Sequence, residues 1–409
     1  MDQQIMKYAQ EIAPKIIDLR RRIHRYPELA IQEFATAQLV AKTLRELEIE
    51  VHENIGKTGV VGLLQGGYPG ATVALRADMD ALPIQEENVF EFRSVNPGVM
   101  HACGHDAHTA ALLGAAQILA KEREHICGRV KFIFQPSEES PLGGAAEMIR
   151  EGVLENPKVD AIIGLHVDPN LPVGKLGYRE GPFYAVAGGF EIEIIGAAGH
   201  GAWPHKAKDA VLVAAEVVQA LQTIAASKID PLEPFVLTIG TIHGGNRANI
   251  IADKVKLTGT VRCFNEALIK QAGGLMEGMI KNISQAHDCQ YAFHFVSGGK
   301  PLFNDSKVTA IVREAAGKVF GAVNVVEVPR VLLGEDFTSY SQAIPATFVS
   351  LGVASPHQEN FSLHHPRFDI DEKALPLGAA FLSLAALHFL NLAELEIAKN
   401  SGGVHGKII

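Results

Sequence analysis

Four short clusters in this chain bring together side chains that bind metals or move protons. They are Arg76-Ala77-Asp78-Met79-Asp80, His101-Ala102-Cys103-Gly104-His105-Asp106-Ala107-His108, Pro136-Ser137-Glu138-Glu139 and Leu165-His166. Thiolate and imidazole suit zinc and other first-row ions, and Cys103 and His105, two apart, share a face if the segment is extended. Glu138 and Glu139 are neighbours, so in extended chain their carboxylates point to opposite sides. We assign Glu139 as a metal ligand and Glu138 as the general base, later the general acid to a leaving amine. Asp80 is expected to orient a metal-bound histidine from behind. With neutral His105, His166 and a later His364, one thiolate and one carboxylate leave two divalent ions with net positive charge. That charge brings the pKa of a bridging water toward neutrality.

Taken singly, each residue has a plainer reading. A His or Cys at a strand end is ordinarily structural, an adjacent Glu-Glu pair is ordinarily solvated, and Asp78 or Asp80 can cap a helix or pair with Arg76. Ligand-type clusters at three strand ends tip the balance toward a metal site.

The elements that must position these clusters follow from periodicity. Apolar residues at helical spacing run through Ile12, Ile16, Leu19 and Ile23, and again from Phe34 to Leu47. Short β-type runs follow at Gly59–Leu64, Thr72–Ala77, Val130–Phe134, Ala161–His166 and Ala346–Leu351, with helical stretches at Asp106–Lys121 and Gly144–Glu151. This alternation predicts a covered, largely parallel α/β sheet, with the polar clusters beyond its strand ends, where such sheets bind ligands. The middle of the chain differs. A strand at Phe190–Ile195, a helix at Ala210–Ala226, strands at Phe235–Ile242 and Lys254–Cys263, a helix at Ala267–Ala286 and a strand at Tyr291–Val296 make βαββαβ, a ferredoxin-like sandwich. The expected organisation is an α/β metal-binding domain of 1–184 and 300–409, interrupted by a lid and dimerisation domain at 185–299. An open strand edge or helix face on such a sandwich pairs with its copy, so a homodimer is expected.

Bulk properties agree with a two-domain globular chain: 409 residues, 47% hydrophobic and 20% charged. A net charge of -9, with no basic run longer than Arg20-Arg21-Arg22, argues against nucleic acid as a partner. Cys103, Cys127, Cys263 and Cys289 fall at no disulfide-framework spacing, and Met1 to Tyr26 is charged and amphipathic without an apolar leader core. A reducing cytoplasm is the expected compartment. Leu375 to Leu392 is the most apolar stretch, but Pro376, Gly378, Ser383 and His388 interrupt it, which predicts a buried helix and no membrane association.

Together with Leu363-His364-His365-Pro366, the Cys103, Glu138 and His166 clusters resemble the aminoacylase/carboxypeptidase metallopeptidase superfamily. The similarity is closest to its branch of hippurate hydrolases, indole-acetyl-amino-acid hydrolases and N-acetyl-diaminopimelate deacetylases. It extends from Arg21-Arg22-Ile23-His24-Arg25-Tyr26-Pro27-Glu28-Leu29 to Phe368-Asp369-Ile370-Asp371, nearly the whole chain. The resemblance implies a metal-dependent amidohydrolase acting on small N-acylated amino acids. It implies two divalent ions, zinc first, with manganese, cobalt or nickel as substitutes. It also implies that Cys103 bridges the ions while His105, Glu139, His166 and His364 complete the ligand set, and that His365 is not a ligand. In Gly199-His200-Gly201-Ala202-Trp203-Pro204-His205 it assigns His200 to polarising the scissile carbonyl; Asn249 and Arg262 match positions that hold the substrate carboxylate, for which a guanidinium is suited. Two departures, Leu332-Leu333-Gly334 before Glu335-Asp336-Phe337 and Arg247 within His243-Gly244-Gly245-Asn246-Arg247-Ala248, bear on substrate preference.

Two rival readings stand beside this one. A cysteine hydrolase would use Cys103 as nucleophile and His105 as its base, though such partners usually lie far apart in sequence. A metal-bearing binding module without catalysis would have little use for Glu138.

Overall fold

The structure, a computed structural model, describes residues 1–140 and 143–400, with side chains as far as Glu394. The chain forms two compact units. One comprises Met1–Gly181, Phe303–Pro329 and the residues from Asp336 onward; the other comprises Pro182–Leu302 and the short return segment Arg330–Glu335.

The first unit is built on an eight-stranded sheet in the order Glu50–Ile55, Gly59–Gln65, Cys127–Gln135, Tyr68–Asp78, Ala161–Pro172, Ala346–Ala354, Leu176–Tyr178 and Val325–Glu327. From Cys127–Gln135 to Ala346–Ala354 the neighbours are parallel. The first two pairings and that of Ala346–Ala354 with Leu176–Tyr178 are antiparallel. Central strands bury both faces: Val73, Leu75, Phe132, Phe134, Ile163 and Val349 are wholly inaccessible, as their unbroken apolar runs require. Glu50–Ile55 lacks the apolar pattern because it is an edge, and its exposed Glu50, His52 and Glu53 discourage further pairing.

Helix His105–Lys121 runs back from the site through the core and packs closely on two others. A β-carbon on its Gly114 would lie 2.6 Å from Ile16 Cδ1, on Ala13–Arg25, and 2.9 Å from Ala379 Cβ, on Ala374–Asn400. Ala374–Glu394 and Ala210–Ser227 are long and apolar enough to cross a membrane by length and composition; the former is 72% buried inside the protein, as a core helix should be.

The second unit is a four-stranded antiparallel sheet ordered Phe235–Gly244, Lys254–Cys263, Val186–Ile195, Gln290–Ser297, covered on one face by helices Ala210–Ser227 and Glu266–Ala286. This is the ferredoxin-like arrangement that the βαββαβ order predicts. Period-two alternation buries Ile192 and Ile194 against Val213, Val217, Met276 and Ile280, and turns Glu191 and Glu193 outward to Lys256 and Lys254 at 2.7 and 3.0 Å. Asp209 and Asn265 cap the two helices through their first backbone amides.

Candidate metal centre

Two of the four clusters sit where parallel strands end. Asp80 lies just past Tyr68–Asp78, and Glu138 and Glu139 lie just past Cys127–Gln135. His166 departs from expectation: its strand runs on to Pro172, so it sits mid-strand, paired with Ser350. It still reaches the same edge because its neighbour Ala346–Ala354 also extends that far.

Cys103 and His105 are not in extended chain. Gly104 between them has φ +84° and forms the N-cap of helix His105–Lys121. A β-carbon there would lie 2.5 Å from Val167 Cγ2, so glycine is required both for the backbone conformation and for the close approach. Glu138 and Glu139 likewise occupy a turn, entered through Ser137 at φ +59°. Neither pair lies in extended chain. Turns, not strand alternation, aim these side chains.

The structure nonetheless brings the expected ligand atoms together. Those of Cys103, His105 and His166 lie within 4.8 Å of one another, as do those of Cys103, Glu139 and His364, and those of His105, Glu138 and Glu139. Cys103 Sγ is 3.5 Å from His166 Nε2, and Glu139 Oε1 is 3.0 Å from His364 Nε2. His364 has φ +65°, and its N–H donates to the Ala102 carbonyl at 2.8 Å, which docks it beside Cys103. His365 turns away: it stacks on Phe361, and its Nδ1 accepts the Arg367 N–H at 3.0 Å.

Tautomers are set from outside the cluster. His105 Nδ1 donates to the Asp80 carbonyl at 2.8 Å, and His166 Nδ1 to the Val167 carbonyl at 2.8 Å. Each presents Nε2 to the cluster, the arrangement expected of metal-binding imidazoles. His105 Nε2 is buried without a hydrogen-bond partner among the described residues; its nearest acidic oxygen, on Asp78, is 3.8 Å away. An unpaired buried nitrogen beside a thiol, a second imidazole and a carboxylate fits a divalent ion of the zinc type. Burial pushes the Cys103 thiol well up, while Asp78 draws His105 up against the opposing effect of burial. Glu139 is held below its ordinary value, against burial, by the His364 imidazole beside it. Loading such a site releases protons.

Asp80 does two jobs, and it backs His105 as expected, its carboxylate Oδ1 lying 3.3 Å from His105 Nδ1 beside its own carbonyl. Its carbonyl orients His105. Its carboxylate accepts the Glu138 N–H at 3.0 Å and the Glu139 N–H at 2.9 Å. The carboxylate thus holds the acidic turn.

Four further residues stood in the motifs without an assigned role. Arg76 donates from Nη1 to Asp78 at 2.7 Å and from Nη2 to Asp336 at 2.9 Å. Asp78 accepts His108 Nδ1 at 2.6 Å, and His108 Nε2 accepts the Val167 N–H at 2.9 Å, so His108 is a neutral brace; burial lowers it to about 4. Asp336 donates its N–H to Glu138 Oε1 at 3.3 Å. The signals were present in the spacing: Arg76 and Asp78 share a strand face, and His105 and His108 share a helix face.

In the second unit, His200 and Asn249 are neighbours. Ile250 pairs with His200, and the Gly201 N–H donates to the Asn249 carbonyl at 2.9 Å. His200 Nδ1 accepts the Ala202 N–H at 3.1 Å, which leaves Nε2–H as a donor on an exposed ring. Arg262 does not join them. It pairs with Ala187 at the other end of the sheet and donates to the Leu332 carbonyl at 3.1 Å.

The Asp80 geometry makes a direct prediction. Asp80→Asn puts an amide NH2 where a second backbone-accepting oxygen is needed, so metal affinity should fall by roughly 10- to 100-fold. Competition against a chelator measures this, and unchanged affinity would remove Asp80 from the site's support.

Comparison with known proteins agrees with this geometry. The sequence profile of Peptidase family M20/M25/M40 matches residues 74–388. N-acyl-L-amino acid amidohydrolase of Geobacillus stearothermophilus is 45% identical over 302 residues, covering 74% of this chain and 81% of that protein. N-acetyl-L-cysteine deacetylase of Bacillus subtilis is 39% identical over 380 residues, covering 93% and 89%. Among solved structures, the Bacillus subtilis YXEP protein, described as a dinuclear metal binding peptidase of family M20, aligns with TM-score 0.80 and 33% identity over 93% of this chain and 99% of that one. The chain belongs to peptidase family M20.

Proposed function

We propose that Cys103, His105, Glu139, His166 and His364 hold two divalent ions, zinc by preference, and that Glu138 is the general base of a hydrolase. The chain is a metal-dependent amidohydrolase that cleaves the amide bond of N-acyl amino acids. The observation that carries the two-ion reading is the sharing of Cys103: its Sγ belongs at once to the group with His105 and His166 and to the group with Glu139 and His364. One thiolate reached from two ligand groups is the arrangement a bridging ligand needs.

When bound, the ions supply the positive charge that acidifies water and polarises an acyl carbonyl. Glu138, its Oε1 held by the Asp336 N–H, takes the proton of the attacking water and returns it to the leaving nitrogen. His200 donates Nε2–H to the carbonyl oxygen as charge develops there. Asn249 and Arg262 bind the carboxylate of the amino-acid product. A cysteine nucleophile fits less well. Cys103 does lie 3.5 Å from His166, but burial raises its thiol where a nucleophile needs it lowered.

The positions of Asn249 and Arg262 support a homodimer. Lys254 pairs with Ile195 and Arg262 with Ala187, so eight residues of strand, about 26 Å, separate the two ends of the sheet. Two chains, one contributing Asn249 and the other Arg262, would bring both to a single small carboxylate. Strand Phe235–Gly244 offers the contact: it is a sheet edge, exposed along its second half and unpaired on its outer side among the described residues. In this reading residues 185–299 are the lid and dimerisation domain of a catalytic domain at 1–184 and 300–409, with hinges near Phe183–Ala185 and Gly298–Lys300. We place the enzyme in the cytoplasm, where four unpaired thiols persist.

Two experiments test these roles. Glu138→Gln should lower kcat by roughly 100-fold or more with both ions retained, while Glu139→Gln should lower metal occupancy. The reverse pattern would exchange the two roles. His200→Ala should keep fold and metals yet lose about 3 kcal/mol of transition-state stabilisation. Mixing His200→Ala with Glu138→Gln subunits under exchange should then recover activity well above either variant alone; no recovery despite proven exchange would rule out delivery in trans.

A further inference from the structure

Three consecutive backbone amides of the turn that carries Glu138 are held by buried carboxylates from elsewhere in the chain. Asp80 takes those of Glu138 and Glu139. The third, from Ser137, is taken by Glu33, whose Oε1 accepts it at 2.9 Å. Glu33 has no solvent exposure, and its Oε2 accepts the Thr58 hydroxyl at 2.5 Å, so neither oxygen is free to turn. Burial pushes the Glu33 carboxyl above its ordinary value in spite of the Thr58 hydrogen bond. A buried carboxyl at the N-cap of helix Phe34–Glu46 that makes no side-chain cap bond to that helix serves something other than the helix.

What it serves is a strained residue. Ser137 has φ +59°, which its β-carbon disfavours, and it immediately precedes Glu138. Such a conformation persists only where the surroundings over-determine it. Here the Ser137 N–H goes to Glu33 and its carbonyl accepts the Gly144 N–H at 3.0 Å. Gly144 itself admits no side chain, since a β-carbon would lie 1.7 Å from the Pro136 carbonyl oxygen.

We propose that Glu33 is a positioning residue for the base: by capturing the Ser137 amide it holds the left-handed turn that aims the Glu138 carboxylate. The kinetic consequence rests on Glu138 being the base, whereas the anchoring itself does not.

The test compares three variants at saturating metal, with rates normalised to folded, metal-loaded protein. Glu33→Ala should lower kcat by roughly 10- to 100-fold, the cost of misplacing a catalytic group, with KM little changed. Glu33→Gln keeps an oxygen that accepts the Ser137 N–H and should stay close to the parent. Adding Ser137→Gly to Glu33→Ala removes the β-carbon strain and should recover part of the loss. Amide hydrogen exchange over residues 135–140 should speed up in Glu33→Ala and not in Glu33→Gln. Should Glu33→Ala fail to fold, Thr58→Val, which frees one oxygen of the carboxylate, should show the same changes to a smaller degree. The proposal is overturned if Glu33→Ala, or Thr58→Val in its place, keeps parental kcat and exchange, if Glu33→Gln is as damaging as Glu33→Ala, or if the loss disappears on normalisation. If Glu138→Gln proves fully active, the base assignment falls, and hydrogen exchange alone still decides whether Glu33 holds the turn.

Discussion

A single buried guanidinium organises the metal-binding unit. Arg76 is 1% exposed, and its three donor nitrogens are directed to Gln135, Asp78 and Asp336 at 2.9, 2.7 and 2.9 Å. A charge so deeply buried is tolerable only when paired, and removing a partner leaves an uncompensated ion. Each of its acids then reaches the site. Asp78 holds His108, which braces the backbone beside His166. Asp336 accepts the Ala145 N–H at 2.9 Å and meets Glu138 through its own N–H. Imidazole and base, from different strands, are thereby referenced to one cation in the central sheet.

A second network lies behind the Cys103 loop. Arg20 donates to Asp106 at 2.8 Å and to Asp369 at 2.7 Å, and His24 bridges Asp106 and Glu86 at 2.8 and 3.1 Å. Asp106 directly follows His105, so helix Ala13–Arg25, the loop near Glu86 and the segment after His364 converge on the first turn of the helix that begins with a ligand. Metal sites need their ligands fixed before the ion arrives, and surrounding polar groups of this kind supply that fixing.

How far the sequence reveals this molecule depends on the range of the interaction. The central strands, several helices and the ferredoxin-like insertion were legible because apolar periodicity is a local property that burial enforces, while helix Ser306–Phe320 and the short strands Leu176–Tyr178 and Val325–Glu327 were not read. The ligand atoms of Cys103, His105, Glu139, His166 and His364 do converge, although of the five only Glu139 follows closely on a strand end. The local geometry was not legible. Ser137 and His364 adopt left-handed backbone without being glycine, and each is tied to a distant residue, Glu33 and Ala102 respectively. For the same reason Asp80 was expected only behind a histidine, where its Oδ1 does lie 3.3 Å from His105 Nδ1, and its hold on amides 58 and 59 residues away was not foreseen. The edge strand Glu50–Ile55 went unseen because an exposed, charged edge carries no apolar pattern.

Anomalous diffraction from crystals grown with a defined divalent ion tests the central claim most directly. Two anomalous peaks should flank Cys103 Sγ, both within bonding distance of it, with Glu138 bonded to neither. A single peak, or two peaks of which only one touches Cys103, would contradict the bridged two-ion site.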